Sequence, residues 1–170
     1  MIDVKKLSKK YIVRKMVDSD VENILNLCYG NKLFYQYSEA NPTKEEILND
    51  MHITPPNIPL SDKYYVGFFE KDTLVAVMDL IDGYTNNETA YIGFFMMNTD
   101  YQSQQKGTSI INETSEYLKS IGKSSIRLAI DKNNPQSNHF WKKNGFNVIK
   151  EVDRNGWIML VAEKKLLGMH

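Results

Sequence analysis

Hydrophobic residues recur along the chain in two rhythms, and together they predict a protein of mixed α and β structure. Alternating or continuous apolar runs predict seven strands, at residues 11–16, 64–70, 73–80, 90–97, 125–130, 147–153 and 157–163. The run at 90–97 is almost entirely apolar, which is typical of a strand buried on both faces. Only Lys71 and Asp72 separate the second strand from the third, so these two are expected to form a hairpin.

The intervals between the strands carry apolar residues at helical spacing. We expect one helix capped by Asp18 and a second capped by Thr43, which forms a capping box with Glu46. Two more helices are predicted over residues 106–121 and 135–144. The order of elements is therefore β-αα-βββ-α-β-α-ββ. It predicts an α/β (α+β) fold with one central mixed sheet of about six to seven strands and helices on both faces.

Composition narrows the functional class by exclusion. The length of 170 residues fits a single domain, 1–170. Twenty-one basic residues balance 21 acidic ones, so no bulk charge recruits nucleic acid or a membrane surface. One cysteine and three histidines without ligand spacing predict no disulfide and no metal site. No apolar run approaches the ~18 residues that span a bilayer, and we expect a cytoplasmic protein.

Residues 98–109 are the first segment with candidate chemistry. A buried strand runs there into a polar loop that opens a helix. The first amides of such a helix have no intrahelical partner, and the helix dipole favours a negative charge, so the segment suits a phosphate. Gly107 allows the backbone to approach a ligand closely, and Lys106 adds a cation. Taken alone, an ordinary turn with a solvated lysine explains the same residues.

The second segment repeats the arrangement after the next strand. It reads Asn134-Pro-Gln-Ser-Asn-His-Phe-Trp-Lys-Lys-Asn-Gly-Phe146. With the order of elements, it resembles the GNAT superfamily of acyl-CoA-dependent N-acyltransferases, whose motif is Asn-x-x-Ala-x-x-Leu-Tyr-x-x-x-Gly-Phe. Every spacing holds. Trp141 stands where many relatives carry a tyrosine that protonates the leaving thiolate, and an indole N–H donates a hydrogen bond without releasing its proton.

The family's phosphate loop, Gln/Arg-x-x-Gly-x-Gly/Ala, has two possible placements. The gapless one runs from Gln102 to Gly107 and puts Gln105 at the first glycine position. The other runs from Gln104 to Ser109, keeps the glycine and shifts the flanking apolar positions by two. We favour the gapless placement, in which Gln105 is expected to keep a negative φ with its side chain toward solvent.

The resemblance implies acetyl-CoA as the cofactor and assigns residues to three tasks. Cofactor-binding residues are expected to be Phe95, Met97, Gln102, Ser103, Gln104, Gln105, Lys106, Gly107, Thr108, Asn134, Phe140, Trp141 and Lys143. The candidate catalytic residues near the splayed end of the central strand are Asp79 and Asp82 as bases, with Trp141 at the thiolate. The acceptor pocket is expected to include Tyr35, Tyr37, Glu39 and Tyr84, the last also as a proton relay.

The resemblance thus implies an N-acetyltransferase. It would move an acetyl group from acetyl-CoA to the primary amine of a small molecule, by direct transfer in a ternary complex. Two alternatives remain at this point. One is an enzyme that acetylates a protein N-terminus or lysine. The other is a non-catalytic acyl-CoA-binding regulatory module, suggested by the departures at Gln105 and Trp141. Many relatives dimerise, so a homodimer is possible.

Overall fold

Seven strands of the computed structural model, which describes residues 1–38 and 41–166, form one mixed sheet. Their order across the sheet is β1-β2-β3-β4-β5-β7-β6, and only β4 and β5 run parallel. The strands are β1 Ile12–Lys15, β2 Lys63–Glu70, β3 Thr73–Asp82, β4 Thr89–Met97, β5 Ser125–Asp131, β6 Asn147–Arg154 and β7 Trp157–Lys165. The helices are α1 Val21–Gly30, α2 Lys32–Tyr35, α3 Lys44–His52, α4 Lys106–Ser120 and α5 Pro135–Lys143.

Helices cover both faces of the sheet, as the order of elements predicted. On one face, Ile110 and Ile111 of α4 and Trp141 of α5 pack against the strands. On the other face, Ile24 of α1 and Ile47 of α3 do the same. Burying apolar residues on both sides explains why the central strands are almost continuously apolar in sequence. None of the described helices is long and apolar enough to cross a membrane.

The middle of β4 is where the sheet opens. β4 pairs with β5 only as far as Ile92, which lies opposite Leu128. At the same point the β3–β4 register shifts, because Leu80 faces Ile92 while Asp79 faces Phe94. Gly93 is therefore the extra residue of a β-bulge, which bends the strand. Beyond the bulge, β4 diverges from β5 and leaves a cleft between them.

Of the two predicted helix N-caps, one is confirmed and the other is wrong. Thr43 caps α3 as expected, since its hydroxyl accepts the Glu46 N–H at 3.2 Å. Asp18 does not cap α1: it lies in a short 3-10 turn, and its carboxylate is 2.6 Å from Nε2 of His52. The helix α2 was not predicted, because four residues are too few to show a helical period.

Candidate functional site

Two cavities occupy the cleft and share part of their walls. The larger, of about 420 Å³, lies between the end of β4 and the first turns of α4 and α5. The smaller, of about 270 Å³, lies between β4, β5, β7 and the segment that follows α1. Phe34, Phe95, Ser137 and Trp141 line both cavities. A ligand in either cavity would therefore reach the indole of Trp141.

Most of the predicted cofactor-binding residues line the larger cavity. They are Phe95, Met97, Gln102, Ser103, Gln105, Gly107, Thr108, Phe140, Trp141 and Lys143. Asn134 lines the smaller cavity instead. Gln104 and Lys106 line neither: Gln104 is exposed, and the Lys106 ammonium lies 4.5 Å from the centre of the Tyr101 ring. The sequence thus located the cavity, although not each side chain around it.

The loop before α4 has a left-handed backbone at two positions. Ser103 has a φ of 63° and Gln105 a φ of 57°. The expectation that Gln105 keeps a negative φ is therefore wrong. A residue with an unbranched side chain adopts the left-handed backbone conformation at a cost of roughly 1–2 kcal/mol. A glycine adopts the same conformation readily, so the backbone agrees with the gapless placement, in which Gln105 replaces the first glycine.

The N-terminus of α4 offers several unpaired donors to the larger cavity. The first bond of the helix runs from the Ser109 N–H to the Gln105 carbonyl at 3.0 Å, so the amides of residues 106–108 have no helical acceptor. No acidic side chain lies in the first turn. Thr108 Oγ1 is buried and has no hydrogen-bond partner among residues 1–38 and 41–166. These donors fit a phosphate group, as the sequence predicted.

Gly107 allows α4 and α5 to approach each other at this cavity. A Cβ at this position would lie 3.2 Å from Cε1 of Phe140 and 3.5 Å from Cγ of Met97. Any larger residue would displace the Phe140 ring, which stacks on Phe95 at a centroid distance of 6.1 Å. The small residue is therefore needed for packing as well as for access to the backbone.

The edge of β4 that faces the cleft is partly available for hydrogen bonding. The Asn98 N–H donates to Val75 of β3 at 2.7 Å. Since successive residues of a strand turn their backbone groups to opposite sides, those of Phe95 and Met97 face the cleft. The Met97 carbonyl accepts Asn31 Nδ2 at 2.9 Å. An extended ligand would add to this edge as a further strand does.

Asn31 is a cavity residue that the sequence analysis missed. Its Oδ1 accepts Gln102 Nε2 at 2.6 Å, and its Nδ2 also donates to the Leu27 carbonyl at 2.9 Å. The amide of Gln102 is therefore engaged within the protein, so this side chain fixes the loop. Nothing in the hydrophobic pattern marks Asn31, because the two partners that tie it to the cavity, Met97 and Gln102, are distant in sequence.

Aromatic rings surround Trp141 where the cavities meet. The indole packs edge-on against Phe95, Phe140 and Phe146 at centroid distances of 5.8, 4.9 and 5.1 Å. Asn134, about two turns before Phe140 and Trp141, is 1% exposed and caps α5, since its Oδ1 accepts the Ser137 N–H at 3.1 Å. Its Nδ2 makes no hydrogen bond within the described ranges and is free to donate to a ligand.

Asp79 lies behind the bulge of β4. A Cβ on Gly93 would be 3.0 Å from Asp79 Oδ2, and Gly93 itself lines the smaller cavity. Lys63 Nζ is 2.8 Å from the same oxygen, while Oδ1 is buried without a partner among the residues described. Burial raises the pKa of the Asp79 carboxyl, and the ammonium of Lys63 opposes that rise. Asp79 is thus a carboxylate whose proton affinity exceeds the ordinary value.

Two other predicted residues lie away from the cleft. The structure corrects the expectation that Asp82 lies at the splayed strand end. It faces Ala90, on the paired side of the bulge, and forms ion pairs with Lys123 and with the N-terminal amine at 3.9 Å. Tyr84 follows it in the β3–β4 connection and packs edge-on against Tyr91, with ring centroids 5.1 Å apart. Neither Asp82 nor Tyr84 lines either of the two cavities described above.

The residues after α1 that were predicted to form the acceptor pocket lie in different places. Tyr37 lines the smaller cavity. Tyr35 lines neither, and it packs against the core between α1 and the sheet, where Cys28 is buried. Burial raises the pKa of the Tyr35 hydroxyl, so it stays protonated and is not an acceptor-facing base. Glu39 lies outside the described residues.

The smaller cavity contains polar residues that the sequence analysis did not single out. Asp131, at the end of β5, accepts Trp157 Nε1 at Oδ2 and the Asn133 N–H at Oδ1, both at 2.9 Å. Arg154, at the end of β6, lines the same cavity. The position of Asp131 at the carboxyl end of a parallel strand is the signal that could have found it, because ligands bind at such ends.

Comparisons with known proteins agree with this arrangement. The model of the acetyltransferase (GNAT) family matches residues 20–146. The chain is 23% identical over 164 residues to a spermidine N(1)-acetyltransferase of Thermoplasma acidophilum, an alignment that covers 90% of this chain and 96% of that protein.

Solved structures share the fold. An acetyltransferase from Thermus thermophilus superposes with a TM-score of 0.73 at 16% identity, covering 92% of this chain and 97% of the other. The PaiA N-acetyltransferase from Thermoplasma acidophilum, in complex with coenzyme A, has a TM-score of 0.67 at 21% identity, covering 91% and 98%.

Proposed function

The chain belongs to the acetyltransferase (GNAT) family, and from that premise we propose that its acceptor is the primary amine of a small molecule. It is an N-acetyltransferase with acetyl-CoA as its cosubstrate. The observation that carries the proposal is the meeting of two cavities at Trp141. The larger one has donors for phosphates, and the smaller one provides a separate space for the acceptor.

The donors around the larger cavity would hold the cosubstrate. The amides of Gly107 and Thr108, the hydroxyl of Thr108 and the ammonium of Lys143 would bind its phosphates. The backbone edge of Phe95 and Met97 would bind its amide-containing arm. When bound, acetyl-CoA supplies a thioester, which is an activated acetyl group. The chain's own contribution is to fix the position of this group beside the acceptor, and positioning supplies a large part of the rate.

The acceptor would occupy the smaller cavity. Its volume of about 270 Å³ suits a metabolite better than a folded protein surface. Tyr37 and Trp157 provide aromatic walls, and the Asp131 carboxylate attracts a cationic amine. A relative that is named as a spermidine acetyltransferase supports the same class of acceptor.

Asp79 would take the proton that the ammonium must lose before it can attack. A base works best when its pKa approaches the working pH, and burial raises the pKa of Asp79 in that direction. Gly93, whose missing Cβ would lie 3.0 Å from Asp79 Oδ2, lines the smaller cavity and places this carboxylate next to the cavity wall. Trp141 would donate a hydrogen bond to the departing sulfur. A thiol has a pKa of roughly 8.5, so the thiolate leaves with little acid help.

Two-substrate kinetics test the proposal. Initial rates are measured while acetyl-CoA and an amine from a panel of small primary amines are varied together. Direct transfer in a ternary complex gives intersecting double-reciprocal lines with at least one small amine. Parallel lines would contradict direct transfer. Acetylation of peptides, with no small amine accepted, would favour the protein-acetylating alternative.

A further inference from the structure

Two charged side chains line the smaller cavity within the described part of the chain, and they are of opposite sign. They are Asp131 and Arg154. They do not form an ion pair with each other. Both carboxylate oxygens of Asp131 accept neutral donors, from the indole of Trp157 and the amide of Asn133. Arg154 forms no ion pair with any residue of ranges 1–38 and 41–166. The cavity therefore presents a fixed negative group and a positive group without a protein counter-ion.

The β6–β7 hairpin determines where this guanidinium lies. Arg154 is the cross-strand partner of Trp157, so the two side chains share one face of the sheet. The indole Nε1 of Trp157 donates to Asp131 at 2.9 Å, so Trp157 contacts the carboxylate and is also the cross-strand partner of Arg154. The charge of Arg154 also opposes the rise in the pKa of the Tyr91 hydroxyl that burial causes. The guanidinium is thus within electrostatic reach of β4.

A second arginine, Arg127 in β5, has a structural role and serves as a comparison for Arg154. Arg127 Nε donates to Glu163 at 2.7 Å, and its NH1 donates to Thr85 at 3.1 Å. Its charge is neutralised by the protein. Arg154 has no such partner among the residues that the structure describes, although it lines a cavity expected to receive an amine. For an acceptor with only positive charges, a guanidinium in the cavity would be unfavourable.

We propose that the acceptor is an amino acid, in which Arg154 binds the carboxylate while Asp131 attracts the ammonium group. This inference rests on the proposed transfer to a small amine and names the class of that amine. The planar fork of the guanidinium matches a carboxylate with two parallel hydrogen bonds, which gives both affinity and orientation. A polyamine lacks the group that Arg154 would bind. Arg154 is therefore a specificity-determining residue for the acceptor.

Pairs of substrates that differ by one carboxylate test the inference. Each amino acid is compared with the amine left after its decarboxylation: lysine with cadaverine, ornithine with putrescine, tyrosine with tyramine. Release of free thiol from acetyl-CoA gives kcat/KM for the wild type, for Arg154→Gln and for Arg154→Lys. Lys150→Gln, which removes an exposed positive charge from the same strand, is the matched control.

We expect the amino acid to be the better substrate in at least one pair. Arg154→Gln should lower kcat/KM for that amino acid by about 10- to 100-fold, mainly through KM, because a charged hydrogen-bonded pair is lost. The kcat/KM of Arg154→Lys for that amino acid should lie between the values of the wild type and Arg154→Gln. Lys150→Gln should leave kcat/KM unchanged. The decarboxylated amines should be unaffected or improved by Arg154→Gln. An unchanged CoA-induced thermal shift confirms that each variant is folded.

The outcomes separate the inference from the proposed function. If the amines are acetylated better than their amino acids, the amino-acid proposal is overturned while the transfer to small amines stands. The same holds if amino acids are preferred but Arg154→Gln leaves the preference unchanged. If neither member of any pair is acetylated, the proposed function fails as well.

Discussion

Replacing Lys63 by methionine removes the only counter-ion that the described residues give to Asp79. The Lys63 side chain is 2% exposed, that of Asp79 is 11% exposed, and the two charged atoms are 2.8 Å apart. Removing one partner of such a pair leaves a buried charge and costs about 3–5 kcal/mol. In a chain of this length each kcal/mol lowers Tm by about 2–4 °C, so the expected loss is roughly 6–20 °C.

The loss should depend on pH with a definite sign. Burial raises the pKa of Asp79, and Lys63 opposes that rise; the same two effects act on the nearby Asp50. An acid whose pKa is higher in the folded state binds more protons when folded, so it stabilises the fold at low pH and loses that contribution as pH rises through the folded pKa. Without Lys63 the pKa values of Asp79 and Asp50 both rise further. The penalty of Lys63→Met should therefore be smaller at pH 5 than at pH 8.

Urea unfolding of four proteins at pH 5 and pH 8 checks this expectation. They are the wild type, Lys63→Met, the double variant Lys63→Met/Asp79→Asn, and Lys9→Met as a control for loss of an exposed lysine. The double variant should regain most of the stability lost at pH 8, because a neutral amide needs no counter-ion. A loss that is the same at both pH values, or below about 1 kcal/mol, would refute a carboxylate held by Lys63.

Substitutions at three further residues test the cleft. Asn134→Ala should lose about 1 kcal/mol of stability with the cap of α5 and should bind CoA more weakly by calorimetry; unchanged affinity would remove Asn134 from the site. Gln105→Gly should raise the melting temperature and keep or improve CoA affinity, because glycine relieves the left-handed backbone; a marked loss of affinity would support the shifted placement. Trp141→Tyr should hold or raise kcat, and a collapse would show that the indole is needed for packing.

The sequence predicted the frame of the site because local patterns encode it. The apolar run of β4, the loop that opens α4 and the motif of α5 each lie within one short segment, and all three meet at the larger cavity. The smaller cavity was harder to predict because it is made by contacts between distant segments. Asp131 and Trp157 are 26 residues apart, and only the pairing of β5 with β7 brings them together.

Backbone conformation accounts for the remaining differences between the sequence-based predictions and the structure. The left-handed φ of Gln105 is set by the path of the chain into α4, and it cannot be predicted from the presence of a glutamine in the sequence. The bulge at Gly93 decides which carboxylates of β3 approach the cleft, since it places Asp79 behind the cavity and leaves Asp82 on the paired side. Strand periodicity cannot reveal an irregularity of one residue.

Thr108→Val tests most directly the claim that the larger cavity holds the cosubstrate. The Thr108 hydroxyl is buried without a partner among the described residues, so replacing it with a methyl group of the same shape should leave the free protein equally stable or more stable. The same change removes a donor to the phosphates and should weaken CoA binding by roughly 3- to 10-fold. Thermal unfolding and calorimetry, with and without CoA, measure both effects on one pair of proteins. Equal or higher Tm with weaker CoA binding is the expected result; unchanged CoA affinity would contradict the placement of the cosubstrate in this cavity.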